Sequence, residues 1–309
     1  MASIACYGAA NLDRTARCIG ELVLRTSNPV TTGQSIGGVA RNVAANLTHL
    51  GNKVRLTAAI GGDSGGEELV RALTADGVEA RGMLRFADAT TASYTAVLDR
   101  DGELLIGLAD MAIYDRITPE ALAPTLEGDS FHGRFVDANL PTACLDAATS
   151  GLPQDIVLAA STVSTPKAAR LLPFLDRFDI VFANRAEASV LSDIDIQNDA
   201  DALRAADAIR RRGTTTVFVT LGPRGAVVVG TDDRLYRPAI PGAARDVVGA
   251  GDAFASGAMS ALLAGKSLHD ALIDGLATAS LTVEVDGPND PALSPARVAE
   301  RARDARGEK

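Results

Sequence analysis

The stretch Asp246-Val247-Val248-Gly249-Ala250-Gly251-Asp252-Ala253-Phe254 holds the residue types that phosphate chemistry uses, in a usable order. Small residues at 249–251 open a helix whose first backbone N–H groups have no partner within it. The helix dipole adds a positive charge of about 0.5 at that end. Gly249, Ala250 and Gly251 therefore outline an anion hole. Asp252 falls in the first turn, where its carboxylate can take the proton of a hydroxyl attacking a bound phosphate. The same letters also describe a plain tight turn with an acid at a helix start. They do not continue as the dinucleotide motif G-x-G-x-x-G, because Phe254 stands where the third glycine belongs.

Five further groups have suggestive spacing. Gly37-Gly38 precedes a helix that carries Asn42, and paired glycines let a ligand approach the backbone. Asn42 can both donate to and accept from a sugar hydroxyl. Asn11 and Asp13 follow the first apolar run, at the end of a strand where open α/β sheets bind ligands. Asn-x-Asp is also a common turn or cap. Asn184-Arg185-Ala186-Glu187 fits an N-cap with its capping-box acid, and it leaves Glu187 able to hold a water of a magnesium ion. Gly62-Asp63-Ser64-Gly65-Gly66 contains G-x-S-x-G, the pattern of a hydrolase nucleophile elbow. That reading needs a histidine, and His49, His132 and His269 all sit in places an α/β-hydrolase does not use for its base. A Gly-rich turn lining a pocket is the better account of this motif. Gly265-Lys266-Ser267 resembles the end of a phosphate-binding loop, but its first glycine would fall at Ser260, inside a helix.

These residues need a scaffold that brings them to one edge. Short apolar runs at 4–10, 54–60, 156–160, 180–183 and 217–221 alternate with helical patterns at 39–50 and about 67–74. That alternation predicts βαβ units and a parallel sheet. The last third reads as helices over 250–263, 268–283 and 295–305. Two stretches break the pattern: 14–34 reads as extended strand plus loop, and 92–108 as two strands joined at Asp99-Arg100-Asp101-Gly102. They fit either a small separate lid or an antiparallel edge of the main sheet. One body of 309 residues with a lid accounts for the chain better than two domains.

With 47% hydrophobic residues the chain has ample material for a core, which excludes disorder. The 39 acidic residues outnumber the 30 basic ones, giving a net charge of −9. That balance argues against a nucleic-acid polymer or an anionic membrane as partner. It does not argue against phosphate handling, because an amide-built anion hole needs no surplus of lysine or arginine. Cys6, Cys18 and Cys144 are too few and too scattered for a disulfide framework or a zinc site. No apolar run approaches a membrane span, and the N-terminus does not read as a signal peptide, so a cytoplasmic protein is expected.

Taken together, the early G-G-x-x-x-N helix, the N-x-x-E motif, Thr220-Leu221-Gly222 with Gly225, and the late D-x-x-G-A-G-D resemble the ribokinase-like, or phosphofructokinase-B, carbohydrate kinases. The likeness covers residues 3–290 in the family's order. It implies a doubly wound, mostly parallel α/β sheet flanked by helices, with a small β-lid. It also implies transfer of the ATP γ-phosphoryl group to a sugar hydroxyl. Asp252 would be the base, with Gly249, Ala250 and Gly251 holding the developing charge. Asn11, Asp13, Gly37, Gly38 and Asn42 would grip the sugar. Asn184, Thr220, Gly222, Gly225 and Ala279 would serve the nucleotide, and Glu187 would act on Mg²⁺ through water. Asp246 and the Val248 carbonyl fall where many members bind a monovalent cation, here K⁺. Val247-Val248 departs from the threonine often found before G-A-G-D, but a carbonyl ligand survives that change.

Within the family, Thr26–Pro29, Asp99–Leu104 with Ala109–Met111, and Asp137–Pro141 look most like pseudouridine kinases. Ser27, Asn28, Thr95 and Asp110 become candidates for reading the uracil edge. Rival acceptors are ribose and adenosine, and rival classes are a serine hydrolase using Ser64 and a non-catalytic binding protein. Lids of this family sometimes pair, so 14–34 and 92–108 are candidate homodimer surfaces.

Overall fold

The computed structural model describes residues 1–127 and 131–306. Its first part runs through β1 (Ser3–Tyr7), β2 (Asn11–Cys18), β3 (Val30–Gly37), α1 (Val39–His49), β4 (Lys53–Thr57), β5 (Ala59–Gly61) and α2 (Ser64–Ala75). Then come β6 (Leu84–Phe86), β7 (Ser93–Leu98), β8 (Leu104–Asp110), α3 (Pro119–Leu126), β9 (Gly133–Asp137), α4 (Thr142–Thr149), β10 (Val157–Ser161) and α5 (Thr165–Ala168). The remainder is β11 (Ile180–Asn184), α6 (Arg185–Ser192), α7 (Asp199–Arg210), β12 (Thr216–Thr220), β13 (Ala226–Val229), β14 (Arg234–Arg237), α8 (Ala250–Leu263), α9 (Leu268–Thr282) and α10 (Pro295–Arg306).

The main sheet has the order β14-β13-β12-β11-β10-β9-β1-β4. It is parallel from β4 to β12 and ends in the antiparallel strands β13 and β14. Its strands are apolar on both faces because helices cover both. Val217 and Val219 of β12 pack to one side with Val227 and Val229. Phe218, between them, points to the other side. There it stacks on Phe182 at 5.2 Å and meets the edge of Phe254 at 5.7 Å. Phe254 lies in α8, so this aromatic trio holds the start of that helix against the sheet. Close packing of α8 on α9 depends on Gly257, where a Cβ would fall 2.3 Å from the Thr278 hydroxyl.

A second, four-stranded sheet has the order β3-β2-β7-β8. The two stretches that broke the alternation therefore pair with each other, not with the main sheet's edge. Its strands extend past the expected limits: β2 begins at Asn11, β3 ends at Gly37, and β8 ends at Asp110.

Three element boundaries differ from the sequence expectation. The apolar run 4–10 is not one strand: β1 stops at Tyr7, and Gly8 turns the chain out towards β2. A Cβ on Gly8 would lie 2.3 Å from the Asp137 carboxyl carbon, so only glycine fits the break. The run 54–60 divides into β4 and β5, because β5 leaves the main sheet to pair with β6. The helix expected from about Glu67 starts at Ser64, capped by Asp63 through the Gly66 amide at 2.9 Å.

Candidate active site

Gly249 is the N-cap of α8 and sits at φ +77°. A side chain there would be strained, and its Cβ would lie 2.4 Å from the Pro288 carbonyl oxygen. At Gly251 the opposite holds, since a Cβ would meet nothing within 4 Å. The first turn of α8 thus backs onto the 287–289 loop and opens on its other side into the cleft. Asp252 projects into that cleft and accepts a 2.9 Å hydrogen bond from the Asn42 side-chain amide. Burial pushes its carboxyl up to about 7, Asn42 opposes the shift, and the negative charges of Asp137 and Glu187 add to it. A carboxylate poised there is matched to general-base work near neutral pH.

Asn184 and Glu187 form the capping box expected from their spacing. The Asn184 side chain accepts from the Glu187 amide at 3.0 Å, and Glu187 accepts from the Asn184 backbone at 2.9 Å. Glu187 also accepts from Thr162 at 2.5 Å and from the Asn184 side chain at 2.7 Å. Together with Thr220, Gly251 and Asp252, these two residues line a cavity of about 130 Å³. A neighbouring recess of about 500 Å³ is lined by Arg185, Leu221, Gly222 and Arg224, and shares Asn184 and Thr220 with that cavity. The two spaces therefore meet at Asn184 and Thr220. Gly225 and Ala279 lie outside both linings. Gly225 is instead a turn residue at φ +106°, packed 2.0 Å (as a Cβ) from the Arg237 carbonyl.

Asn11, Asp13, Gly37 and Gly38 meet where the second sheet joins the first. Asn11 pairs with Gly37 across β2 and β3, and its side chain donates to Asp13 at 2.6 Å. Burial raises the Asp13 carboxyl, with Asn11 and Arg41 pulling it back. A Cβ on Gly37 would fall 2.0 Å from an Asp13 carboxylate oxygen, so that glycine makes room for the acid. Asp246 turns both carboxylate oxygens to backbone amides, Val248 at 2.9 Å and Gly287 at 3.0 Å.

A model of the pfkB family of carbohydrate kinases matches residues 1–295. The chain belongs to that family. It is 29% identical to the pseudouridine kinase of Escherichia coli over 94% of this chain and 93% of that protein. A carbohydrate kinase from Agrobacterium tumefaciens superposes with a TM-score of 0.85 at 33% identity, covering 98% of this chain and 97% of that one. Ribokinase of Arabidopsis thaliana, solved with ribose and ATP, superposes with a TM-score of 0.81 at 21% identity, covering 98% and 99%. The chain is a phosphotransferase with a hydroxyl acceptor, a sugar or nucleoside kinase.

The hydrolase alternative has no geometry to support it in this kinase. Asp63 accepts from Gly66 and Thr91, so G-D-S-G-G is a helix start packed against residue 91. Each histidine is engaged elsewhere: His132 with Ser3, His49 beside Asp76, His269 with Arg237. Lys266 and Ser267 likewise serve structure, the first paired with Asp274 at 2.6 Å and the second capping α9.

Sequence reasoning about the site missed two residues. Asp137, fully buried at the end of β9, accepts from the amides of Ala9, Ala40 and Asn139 at 2.8–2.9 Å. It ties the exit of β1 to the start of α1, and its signal was an acid closing an apolar strand. Asn289 reaches α1 from beyond α9, and no local pattern marks it. Among the described residues no cluster of three or more His, Cys, Asp or Glu side chains could hold a metal by itself, and no helix is long and apolar enough to cross a membrane.

Proposed function

We propose that the chain transfers the γ-phosphoryl group of ATP to the 5′-hydroxyl of a nucleoside, and that the nucleoside is pseudouridine. The observation that carries the reaction is Asp252, raised to about 7 and aimed into a cleft beside open helix amides. An acceptor hydroxyl held against Asp252 gives up its proton to the carboxylate as its oxygen attacks phosphorus. Charge gathering on the transferred group meets the amides of Gly249, Ala250 and Gly251 at the start of α8, of which that of Ala250 also donates to the Val247 carbonyl at 3.3 Å. The larger recess suits the nucleoside half of ATP, with the phosphates passing Asn184 and Thr220 towards Asp252.

The donor set fits magnesium held by phosphates and water. Glu187 has both oxygens committed to protein donors, so its carboxylate faces the ion through water, as this ion commonly allows. Magnesium, when bound there, neutralises phosphate charge. Asp246 and the Val248 carbonyl remain the candidates for potassium, with Asp246 using spare lone pairs beyond its two amide bonds. Asn11, Asp13, Gly37 and Gly38 hold the sugar, and Gly225 and Ala279 shape the nucleotide side from behind its lining.

The second sheet acts as the lid of a single kinase domain. Its β8 is an exposed edge strand, with Leu104, Ile106 and Leu108 uncovered, and it pairs with the same strand of a second copy. Asn28 drops out as a base reader because its amide already holds the 23–28 turn, to Val23 and Thr26. Ser27, Thr95 and Asp110 remain. Three buried, unpaired cysteines suit the reducing cytoplasm where such a reaction would run.

ADP release measured with pseudouridine, uridine, adenosine and ribose as acceptors tests the reading. Pseudouridine should give the highest kcat/KM. A preference for ribose or adenosine would move the acceptor while leaving the kinase, and release with none of a wider acceptor panel would favour a non-catalytic protein.

A further inference from the structure

Asn42 can serve Asp252 in only one orientation. Turned one way its NH₂ donates to the carboxylate, and turned the other way its carbonyl oxygen faces the carboxylate lone pairs. In this structure the choice is made from behind. The Arg41 guanidinium donates to the Asn42 side-chain oxygen at 3.3 Å through Nη1 and to the Ile36 carbonyl at 3.2 Å. The same nitrogen donates to the side-chain oxygen of Asn289. Asn289 in turn donates to the Asn42 backbone carbonyl at 3.0 Å and to the Asn46 side-chain oxygen at 2.9 Å. Arg41 is itself anchored at its other end by Asp76, at 2.7 Å.

We propose that Arg41 and Asn289 are positioning residues that lock the Asn42 amide with its NH₂ toward Asp252. Neither lines the cavity beside Asp252, and both act through Asn42. The placement of Asn289 links this lock to the anion hole. Pro288, just before it, closes over Gly249, and Gly287 donates to Asp246. One short loop thus braces the hole that receives the phosphate and the amide that orients the base. Arg41 is only 7% exposed, and its Nε is buried without a hydrogen-bond partner, an arrangement that stability alone does not favour. The inference rests on Asp252 as the base, but its geometry stands without that reading.

The charged groups around this cluster are few enough to name. Asp252 is faced by Asp137 from β9 and Glu187 from α6, and Arg41 by Asp13 from β2 and by Asp76, which caps the end of α2, with His49 beside Asp76. None of them is changed by Asn289→Ala, which makes that variant the cleanest probe.

The experiment is a carbon-13 carboxyl titration of the full chain without substrate, with the Asp252 signal identified by its loss in Asp252→Asn. With the lock released, Asn42 can turn its oxygen to the carboxylate, so Asp252 should titrate about one pH unit higher in Asn289→Ala than in the wild type. Asp76→Asn loosens Arg41 from the far side and should move the midpoint in the same direction by about a third as much. Arg41→Gln should resemble Asn289→Ala. In turnover, the acid limb of kcat/KM should shift with the midpoint while the KM for ATP changes less than about threefold. An unchanged Asp252 midpoint in folded Asn289→Ala and Asp76→Asn proteins would overturn the proposal. Should Asn289→Ala not fold, Asp76→Asn decides, since its site is a partly exposed helix end outside the cleft. Because the titration needs no turnover, a shift without ADP release would keep the lock and remove the kinase reading, and ADP release without a shift would do the reverse.

Discussion

At the floor of the cleft, Asn42, Asp137 and Glu187 are each less than one-tenth exposed and hydrogen-bonded from more than one element. On β8, by contrast, every residue from Leu104 to Asp110 is exposed, and one edge of the strand has no partner within the sheet. The two regions obey different demands. A general base and an anion hole act only if their atoms are already in place, so their surroundings over-determine them. A surface that chooses an acceptor or meets a second copy must keep its groups available until the partner arrives. Changes at the floor should therefore alter rate and stability steeply, and changes on β8 should alter association or, at Asp110, acceptor choice, and little else.

The largest effect expected is that of Asp252→Asn, which keeps the shape and removes the carboxylate. Its kcat should fall by about 10²–10⁴, with ATP affinity largely intact by calorimetry. In the wild type, kcat/KM should rise with pH through about 7 and level off above it. Near-normal turnover by Asp252→Asn would remove the carboxylate from the mechanism.

Next in size is Gly249→Ala, which adds a Cβ at positive φ against the Pro288 backbone. A loss of about 2–4 kcal/mol in stability is expected, read as a lower Tm, with kcat reduced more than the KM for ATP. A variant as stable as the wild type would mean that the 287–289 loop yields easily, and the floor would be less rigid than its packing implies.

A third effect has the opposite sign. The Asp252 pKa is raised on folding, so the folded state binds its proton more tightly than the unfolded one. Stability from this group is therefore present at low pH and is lost as pH rises from about 4 to about 7. Asp252→Asn should be more stable than the wild type by about 1–3 kcal/mol at pH 8, and much less so at pH 4. Thermal melts at the two pH values measure the difference. Equal melting of the two proteins at pH 8 would show that the ionised carboxylate is not under strain.

Smallest in energy is Leu108→Lys on β8, where stability should stay within about 0.5 kcal/mol of the wild type. Sedimentation should nevertheless move from dimer to monomer. A wild type that sediments as a monomer would leave β8 without the partner proposed for it.

What the sequence disclosed follows the same division. The Gly249–Asp252 turn and the Asn184–Glu187 capping box are legible because their physics is local: a helix end, a cap and a spacing of three. In the main sheet β9, interrupted by Arg134, and the antiparallel β13 and β14 fall outside the expected strands. The other five, β1, β4, β10, β11 and β12, are legible because burial on both faces leaves mostly apolar runs. Gly8 misleads for the same reason, since Tyr7-Gly8-Ala9-Ala10 stays apolar across a break caused by Asp137, 129 positions away. The bond from Asn42 to Asp252 spans 210 residues, and those from Asn289 to α1 span more than 240. No window along the chain contains such partners. Gly37 and Gly38 did signal a close approach, but the Gly37 Cβ position is taken by Asp13 of the same protein, which no rule about glycine pairs would single out.

The junction between the two sheets has a mechanical consequence. A single Asp137 oxygen holds both Ala9, on the way out to β2, and Ala40, on the way back from β3. Beside it the Tyr114 hydroxyl grips both the amide and the carbonyl of Ala10. The chain leaves for β2 and returns from β3 at this one riveted point, while β7 and β8 have their own connections. Gln34 of β3 also donates to Glu68 of α2, so the four-stranded sheet is a beam mounted along that side. Any swing of that beam carries β8 through a long arc while Asn11 and Asp13, close to the pivot, scarcely move. A tug at the far strand would arrive at Asn11 and Asp13 as torque rather than displacement.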